Sequence, residues 1–279
     1  MRMKLLAFDL DGTLVDEHSH MTDANRQAIL AARQAGLEVI LVTGRSWRGT
    51  KPVYDGLGLT GPAICYLGAL VVADGAGLVL SHHPLVPGAW ETLRAFAVRE
   101  GLPVTACVGT DQAVADGGLP TGGLVATDTA FSTRRADDFP TWDFWHPFST
   151  TISPDLAPCA APPIMLAVYG ETAVRRALAA FPDGLPDCQF DLYDKVAGET
   201  VLHIWHSAVN KGHALAKVCA TIGIAPDEVA AFGDMPMDAS MLAFAGIGVA
   251  VPGAHAALKD VATWVAEPHE AIRRILEGA

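Results

Sequence analysis

Near both ends of the chain, short continuous apolar runs alternate with segments of helical periodicity, and this alternation limits the fold more than any other feature. A run apolar at every position must be covered on both faces, and strands separated by helices pair in parallel through crossovers. The pattern predicts a strand over 4–8, a helix over 23–35, a strand over 37–42, a helix over 47–57 and a strand over 63–66, followed by a hairpin turning at 75–77. Thr22 is placed to cap the first helix and Gly36 to end it. The alternation resumes with a helix over 211–222, a strand over 228–232, a helix over 237–244, a strand over 247–251 and a closing helix over 268–277. The expected core is therefore an α/β, doubly wound parallel sheet with helices on both faces.

The middle of the chain has another texture. One helix (89–100), a strand pair near 103–115 and an irregular stretch over 116–163 rich in Gly, Pro, Thr and Asp precede a strand over 164–169, a helix over 171–181 and strands over 188–194 and 200–205. This reads as an inserted α+β domain over 84–205, flanked by a core built from 1–83 and 206–279. A chain of 279 residues is long enough for two domains.

Composition narrows the partners. With 51% hydrophobic and 18% charged residues, and no apolar run reaching the length of a bilayer span, the chain reads as globular rather than disordered or membrane-spanning. The apolar run that opens it stops at Asp9, too early for a secretory signal, so a cytoplasmic address is expected. Nineteen basic against 31 acidic residues give a formal charge of −12, which repels nucleic acid and anionic membrane. Any anionic substrate needs a local positive site. The five cysteines form no CxxC pair and leave one over, so neither a disulfide framework nor a zinc site is expected.

The residues with chemistry stand at strand ends. "LLAFDLDGTLVD" runs from a buried strand into Asp9 and Asp11, which emerge together if the extended backbone continues through them. The carboxyl edge of an open α/β sheet is where ligands bind. Two such charges 4 Å apart repel by roughly 4 kcal/mol at an effective dielectric near 20, so the pair invites a cation, and hard oxygen donors favour Mg²⁺. An EF-hand loop is excluded, because its twelfth position needs Glu and here holds His20. A second strand ends "LVTGRS", setting Thr43 and the Gly44 amide where phosphate oxygens bind. Lys211 opens a helix, where a cation opposes the helix dipole and so calls for another reason to be there. "VAAFGDMPMDASML" repeats the opening pattern with Asp234 and Asp238, of which Asp238 is also placed to cap a helix. Carboxylates for Mg²⁺, and a hydroxyl and an ammonium for phosphate oxygens, describe phosphoryl chemistry with Asp9 as nucleophile.

As a set, "DLDGT" (9–13), "TGR" (43–45), Lys211 and "GDMPMD" (233–238) resemble the four ordered motifs of the haloacid dehalogenase (HAD) superfamily, specifically its Cof-type phosphatases with a type IIB cap inserted into a Rossmann-like core. The resemblance implies an Mg²⁺-dependent phosphomonoesterase acting on a small phosphorylated metabolite such as a sugar phosphate. It further implies that Asp9 forms an aspartyl-phosphate, that Asp11 protonates the leaving alcohol and then activates water, and that Thr43, Gly44 and Lys211 hold the phosphoryl group. Asp9, Asp234, Asp238 and the backbone carbonyl of Asp11 would surround the metal. Two positions depart from the family pattern: Met237 and Leu67 stand where Asn is usual. A phosphomutase on the same core and a non-catalytic metal- or phosphate-binding module are the alternatives. A glycosyltransferase using DxD would leave Thr43 and Lys211 without a role.

Other stretches are weaker. "GLGLTG" (56–61) fits a dinucleotide fingerprint in letters, but follows a helix and meets Pro62, so it reads as a helix stop. His82-His83 and His203 with His206 lack a third metal ligand and read as packing at the domain joints. Trp142, Trp145 and His146 read as an aromatic cluster of the insert. Arg45 is equally placed to reach substrate or to pair with a surface carboxylate.

Overall fold

The computed structural model describes residues 3–16, 18–110, 125–133, 149–156, 162–196 and 199–278. The chain forms two compact units, one from 1–44, 50–76 and 210–279, the other from 45–49 and 77–209. The joints expected from the sequence are 83/84 and 205/206; the two compact units divide at 76/77 and 209/210, with 45–49 in the second.

In chain order the first unit begins with β1 (Leu5–Phe8), α1 (Asp23–Gln34), β2 (Glu38–Val42), α2 (Trp47–Gly56), β3 (Ala63–Cys65) and β4 (Leu70–Val72). The Thr22 hydroxyl accepts from the Asn25 amide at 3.2 Å, capping α1 as its sequence position predicts. Past the helix end, Gly36 takes φ +87° and the Leu37 amide closes onto the Ala32 carbonyl, the left-handed stop that glycine makes easy. The 56–61 stretch is indeed a helix stop, α2 ending at Gly56.

The second unit continues with β5 (Val79–His82), α3 (Pro87–Glu100), β6 (Val104–Thr110), β7 (Ala126–Ser132), β8 (Ser149–Ile152), β9 (Met165–Tyr169), α4 (Glu171–Ala180), β10 (Cys188–Val196) and β11 (Glu199–His206). Its sheet runs β10-β11-β9-β6-β7-β8. Trp90, Leu93 and Phe96 of α3 and Val174 and Ala177 of α4 bury alternate residues of β6, β9 and β11, so both helices serve one face. Of the strand pair expected near 103–115, the described part is β6, whose partners β7 and β9 come from later in the chain, and 111–115 lie outside the described residues. One expectation is corrected here. The stretch over 116–163 contains β7 and β8, whose "ATDTAFS" and "STTI" present Thr and Ser rather than an apolar run. Trp142, Trp145 and His146 lie outside the described residues.

The chain then returns to the first unit through α5 (Lys211–Ile222), β12 (Val229–Gly233), α6 (Ala239–Phe244), β13 (Ile247–Ala250), α7 (Ala256–Lys259), β14 (Trp264–Val265) and α8 (Pro268–Glu277). The strands of this unit lie in the order β14-β13-β12-β1-β2-β3-β4, parallel except for the β3–β4 pair. Leu5, Ala7, Ile40, Val42 and Ala231 point toward α5 and α6, forming a core with Leu215, Val218, Met241 and Leu242. The intervening Leu6 and Phe8 face the other way. Phe8 stacks on Phe232 across β1 and β12, ring centroids 4.3 Å apart. This is the doubly wound α/β core expected, and it brings the carboxyl ends of β1, β2, β3 and β12 together along one edge. Among the described residues, no helix is long and apolar enough to cross a membrane.

Candidate active site

β1 ends at Phe8, and the Asp9 amide donates to the Phe232 carbonyl of the neighbouring strand at 2.9 Å. This bond fixes Asp9 beside the end of β12, one residue before Asp234. Beyond Asp9 the chain does not stay extended. The amides of Thr13, Leu14 and Val15 all turn back to the Leu10 carbonyl, so Asp11 sits on a tight turn. The extended backbone of β1 thus gives way, from Leu10 on, to the loop that carries Asp11. Asp9 is buried, Asp11 is half-buried, and the acidic cluster among the described residues is Asp9, Asp234 and Asp238, with ligand oxygens within 4.8 Å of one another.

Lys211 explains its unfavourable place at the start of α5. Its ammonium, 1% exposed, donates to Asp9 Oδ1 at 2.6 Å and to Asp238 Oδ1 at 2.5 Å. Burial alone would drive off the proton of this ammonium, but the Asp238 and Asp9 charges outweigh it and hold the pKa above the ordinary lysine value. Asp238 is fully buried and uses its other oxygen to accept from the amides of Asp234 and Met235, at 3.1 and 3.0 Å. It thus ties the loop carrying Asp234 to the lysine, and its capping role falls on the short 3-10 turn Pro236–Asp238 rather than on α6.

The acids themselves are pushed the other way. Burial, then the charges of Asp238 and Asp234, raise Asp9 well above the usual carboxylate range against the pull of Lys211. Burial and Asp238 raise Asp234 to about 6. Three carboxylates against one ammonium leave a formal −2 when all are ionised. An all-oxygen donor set with that charge suits a hard divalent cation such as Mg²⁺. The approach of Asp234 depends on Gly12. With φ +78° there, a Cβ at this position would lie 2.3 Å from Asp234 Oδ2. The Thr13 hydroxyl donates to Asp234 Oδ1 at 3.2 Å. Both residues lie inside the "DLDGT" motif, yet sequence reading gave neither a role. The small residue and the hydroxyl right after a strand-end Asp were the available signal.

Thr43 follows β2 at the same edge, fully buried; its amide donates to the Ile64 carbonyl at 2.9 Å and its carbonyl accepts from the Leu67 amide at 3.0 Å. Leu67, where Asn is usual, is buried and holds the left-handed conformation at φ +56° that Asn adopts more readily. Met237 is half-buried on the 3-10 turn. Gly44 is buried beside Thr43, whereas Arg45 belongs to the second unit. Arg45 is no surface residue: it is 1% exposed, and its guanidinium donates to the Gly49 carbonyl. Among the described residues the histidine pairs form no metal cluster. His203 instead packs its ring against Tyr193 and Trp205, and His206 accepts from the Ala208 amide.

Comparison with known proteins points one way. A family model described as haloacid dehalogenase-like hydrolase matches residues 6–273. Pyridoxal phosphate phosphatase YbhA of Escherichia coli is 30% identical over 276 residues, covering 93% of this chain and 91% of its own. The 5-amino-6-(5-phospho-D-ribitylamino)uracil phosphatase YwtE of Bacillus subtilis is 27% identical, covering 96% and 94%. Among solved structures, a haloacid dehalogenase-like hydrolase from Bacteroides thetaiotaomicron has the same fold at TM-score 0.77 and 20% identity, covering 98% of this chain and all of that one.

Proposed function

Because the chain belongs to the haloacid dehalogenase-like hydrolase family, we propose that it is an Mg²⁺-dependent phosphatase that hydrolyses a small phosphorylated metabolite through a phosphorylated Asp9. The observation that carries this reading is the buried Lys211 ammonium bridging Asp9 and Asp238, with Asp234 within ligand distance of both. Binding alone has no need of a carboxylate held so close to an ammonium at an open strand end.

Asp9 and Asp234 are the proposed metal ligands, joined by the Asp11 backbone carbonyl, while Asp238 holds the loop and Lys211 from behind. Mg²⁺ bound there would neutralise the charge on the acids and on the phosphoryl oxygens, so that one anion can approach another. Asp9 attacks phosphorus with a carboxylate oxygen, and the bond from phosphorus to the leaving alkoxide breaks. Asp11 gives its proton to that alkoxide, then takes one from water as the water attacks phosphorus, which breaks the Asp9–phosphate bond and releases inorganic phosphate. Lys211 and Thr43, with the Gly44 amide, bind the phosphoryl oxygens whose charge grows in the transition state. YbhA is named for pyridoxal phosphate and YwtE for 5-amino-6-(5-phospho-D-ribitylamino)uracil. A panel should therefore include pyridoxal phosphate and phosphorylated ribitylaminouracil alongside sugar phosphates.

The test is release of inorganic phosphate from such a panel, with Mg²⁺ or with chelator, beside an Asp9→Asn variant. Turnover should require the metal and vanish in the variant. Wild-type rates in Asp9→Asn would exclude the covalent route.

A further inference from the structure

We infer that Ser240 is a positioning residue for Lys211, holding the root of that side chain while Asp238 holds its head. The inference rests on the proposed role of Lys211 in binding the phosphoryl group. A lysine side chain carries considerable rotamer freedom, so an ammonium fixed between two carboxylates also requires that its backbone not shift. The first turn of α5 supplies that backbone, and its free amides need partners. Asn210 caps the helix from within, accepting from the His213 amide at 2.7 Å. The Gly212 amide, directly after Lys211, finds its partner elsewhere: it donates to the Ser240 hydroxyl at 3.0 Å.

The contact is close and built for. A Cβ at Gly212 would lie 2.4 Å from the Ser240 carbonyl oxygen and 2.5 Å from its carbonyl carbon, both backbone atoms that cannot swing aside. Only glycine lets the start of α5 sit against the start of α6. Ser240 follows Asp238 by two residues, so one short segment grips Lys211 at both ends, at the ammonium through Asp238 and at the backbone through Ser240. A shift of that segment moves both grips together. Without the Ser240 hydroxyl, the helix start keeps its own cap but loses the tie to the segment that carries Asp238.

Inorganic phosphate serves as the probe, its binding measured by calorimetry with Mg²⁺ present, beside kcat and KM for the best substrate of the panel. Ser240→Ala should weaken phosphate binding about fivefold, as expected for one lost hydrogen bond, while Ser240→Thr, which keeps the hydroxyl, retains wild-type affinity. In a Lys211→Met background, with folding checked by melting curves, Ser240→Ala should cost nothing further, because the group it positions is gone. Wild-type affinity in Ser240→Ala, an equal loss in Ser240→Thr, or the same penalty in both backgrounds overturns the inference. Wild-type affinity in Lys211→Met instead overturns the phosphate-binding role on which it depends.

Discussion

At the scale of single residues, the site is a problem in charge placement solved by short, specific contacts. The sequence named Asp9, Thr43, Lys211, Asp234 and Asp238 because each ends a strand or opens a helix, Lys211 where its charge opposes the helix dipole. It could not give the pairing, since whether Lys211 serves a carboxylate or solvent depends on atoms some 200 residues away in the chain, as the Lys211–Asp9 bond does. Nor could it show that the chain turns back on the Leu10 carbonyl directly after the strand. Gly12 is where this geometry is most exposed to test. Gly12→Ala sets a methyl group onto Asp234 Oδ2, in a backbone conformation that alanine resists. Displacing that ligand should raise the Mg²⁺ concentration needed for half-maximal phosphate release by about 10- to 100-fold. An unchanged metal requirement would remove Asp234 from the metal site.

Among elements, legibility followed hydrophobic contrast. Strands buried on both faces, such as β1 and β2, were readable from their continuous apolar runs, and α5 and α8 fell where their periodicity placed them. β7 and β8 were not, because strands rich in Thr and Ser carry the same letters as a loop, and only pairing with β6 and with each other makes them strands. Helix ends, by contrast, are local chemistry and were legible. Thr22→Ala removes the hydroxyl that accepts from Asn25 at 3.2 Å and should lower stability by about 1 kcal/mol, measured as a drop in the urea midpoint without a change of slope.

Over the whole molecule, stability should depend on pH through buried histidines that the sequence could only assign to packing. His82 is 6% exposed, and neither ring nitrogen has a hydrogen-bond partner among the described residues. Burial, with the His83 charge adding to it, lowers its pKa to about 4 from the usual 6.5. Between those values the unfolded chain binds a proton that the folded chain does not, so stability should fall as pH drops from about 6.5 toward about 4. The loss from this one group is about 3 kcal/mol at most. His82→Leu should hold or raise stability at neutral pH and give a shallower fall on acidification, read from melting temperatures across that window. An identical acid slope in the variant would show that His82 is protonated in the fold. The two-unit division also has a functional reading: the acidic cluster, Thr43 and Lys211 all belong to the first unit, so the phosphoryl chemistry proposed here is written on one contiguous fold.

The central claim is that Asp9 becomes covalently phosphorylated. The direct measurement is to quench the enzyme in acid during turnover of a small reactive phosphate ester, digest it, and weigh the peptide that contains Asp9. The account predicts that this peptide carries one added phosphoryl group, labile to hydroxylamine and missing in Asp9→Asn. Steady turnover with that peptide unmodified at every quench time, and with phosphate still released by Asp9→Asn, would contradict it.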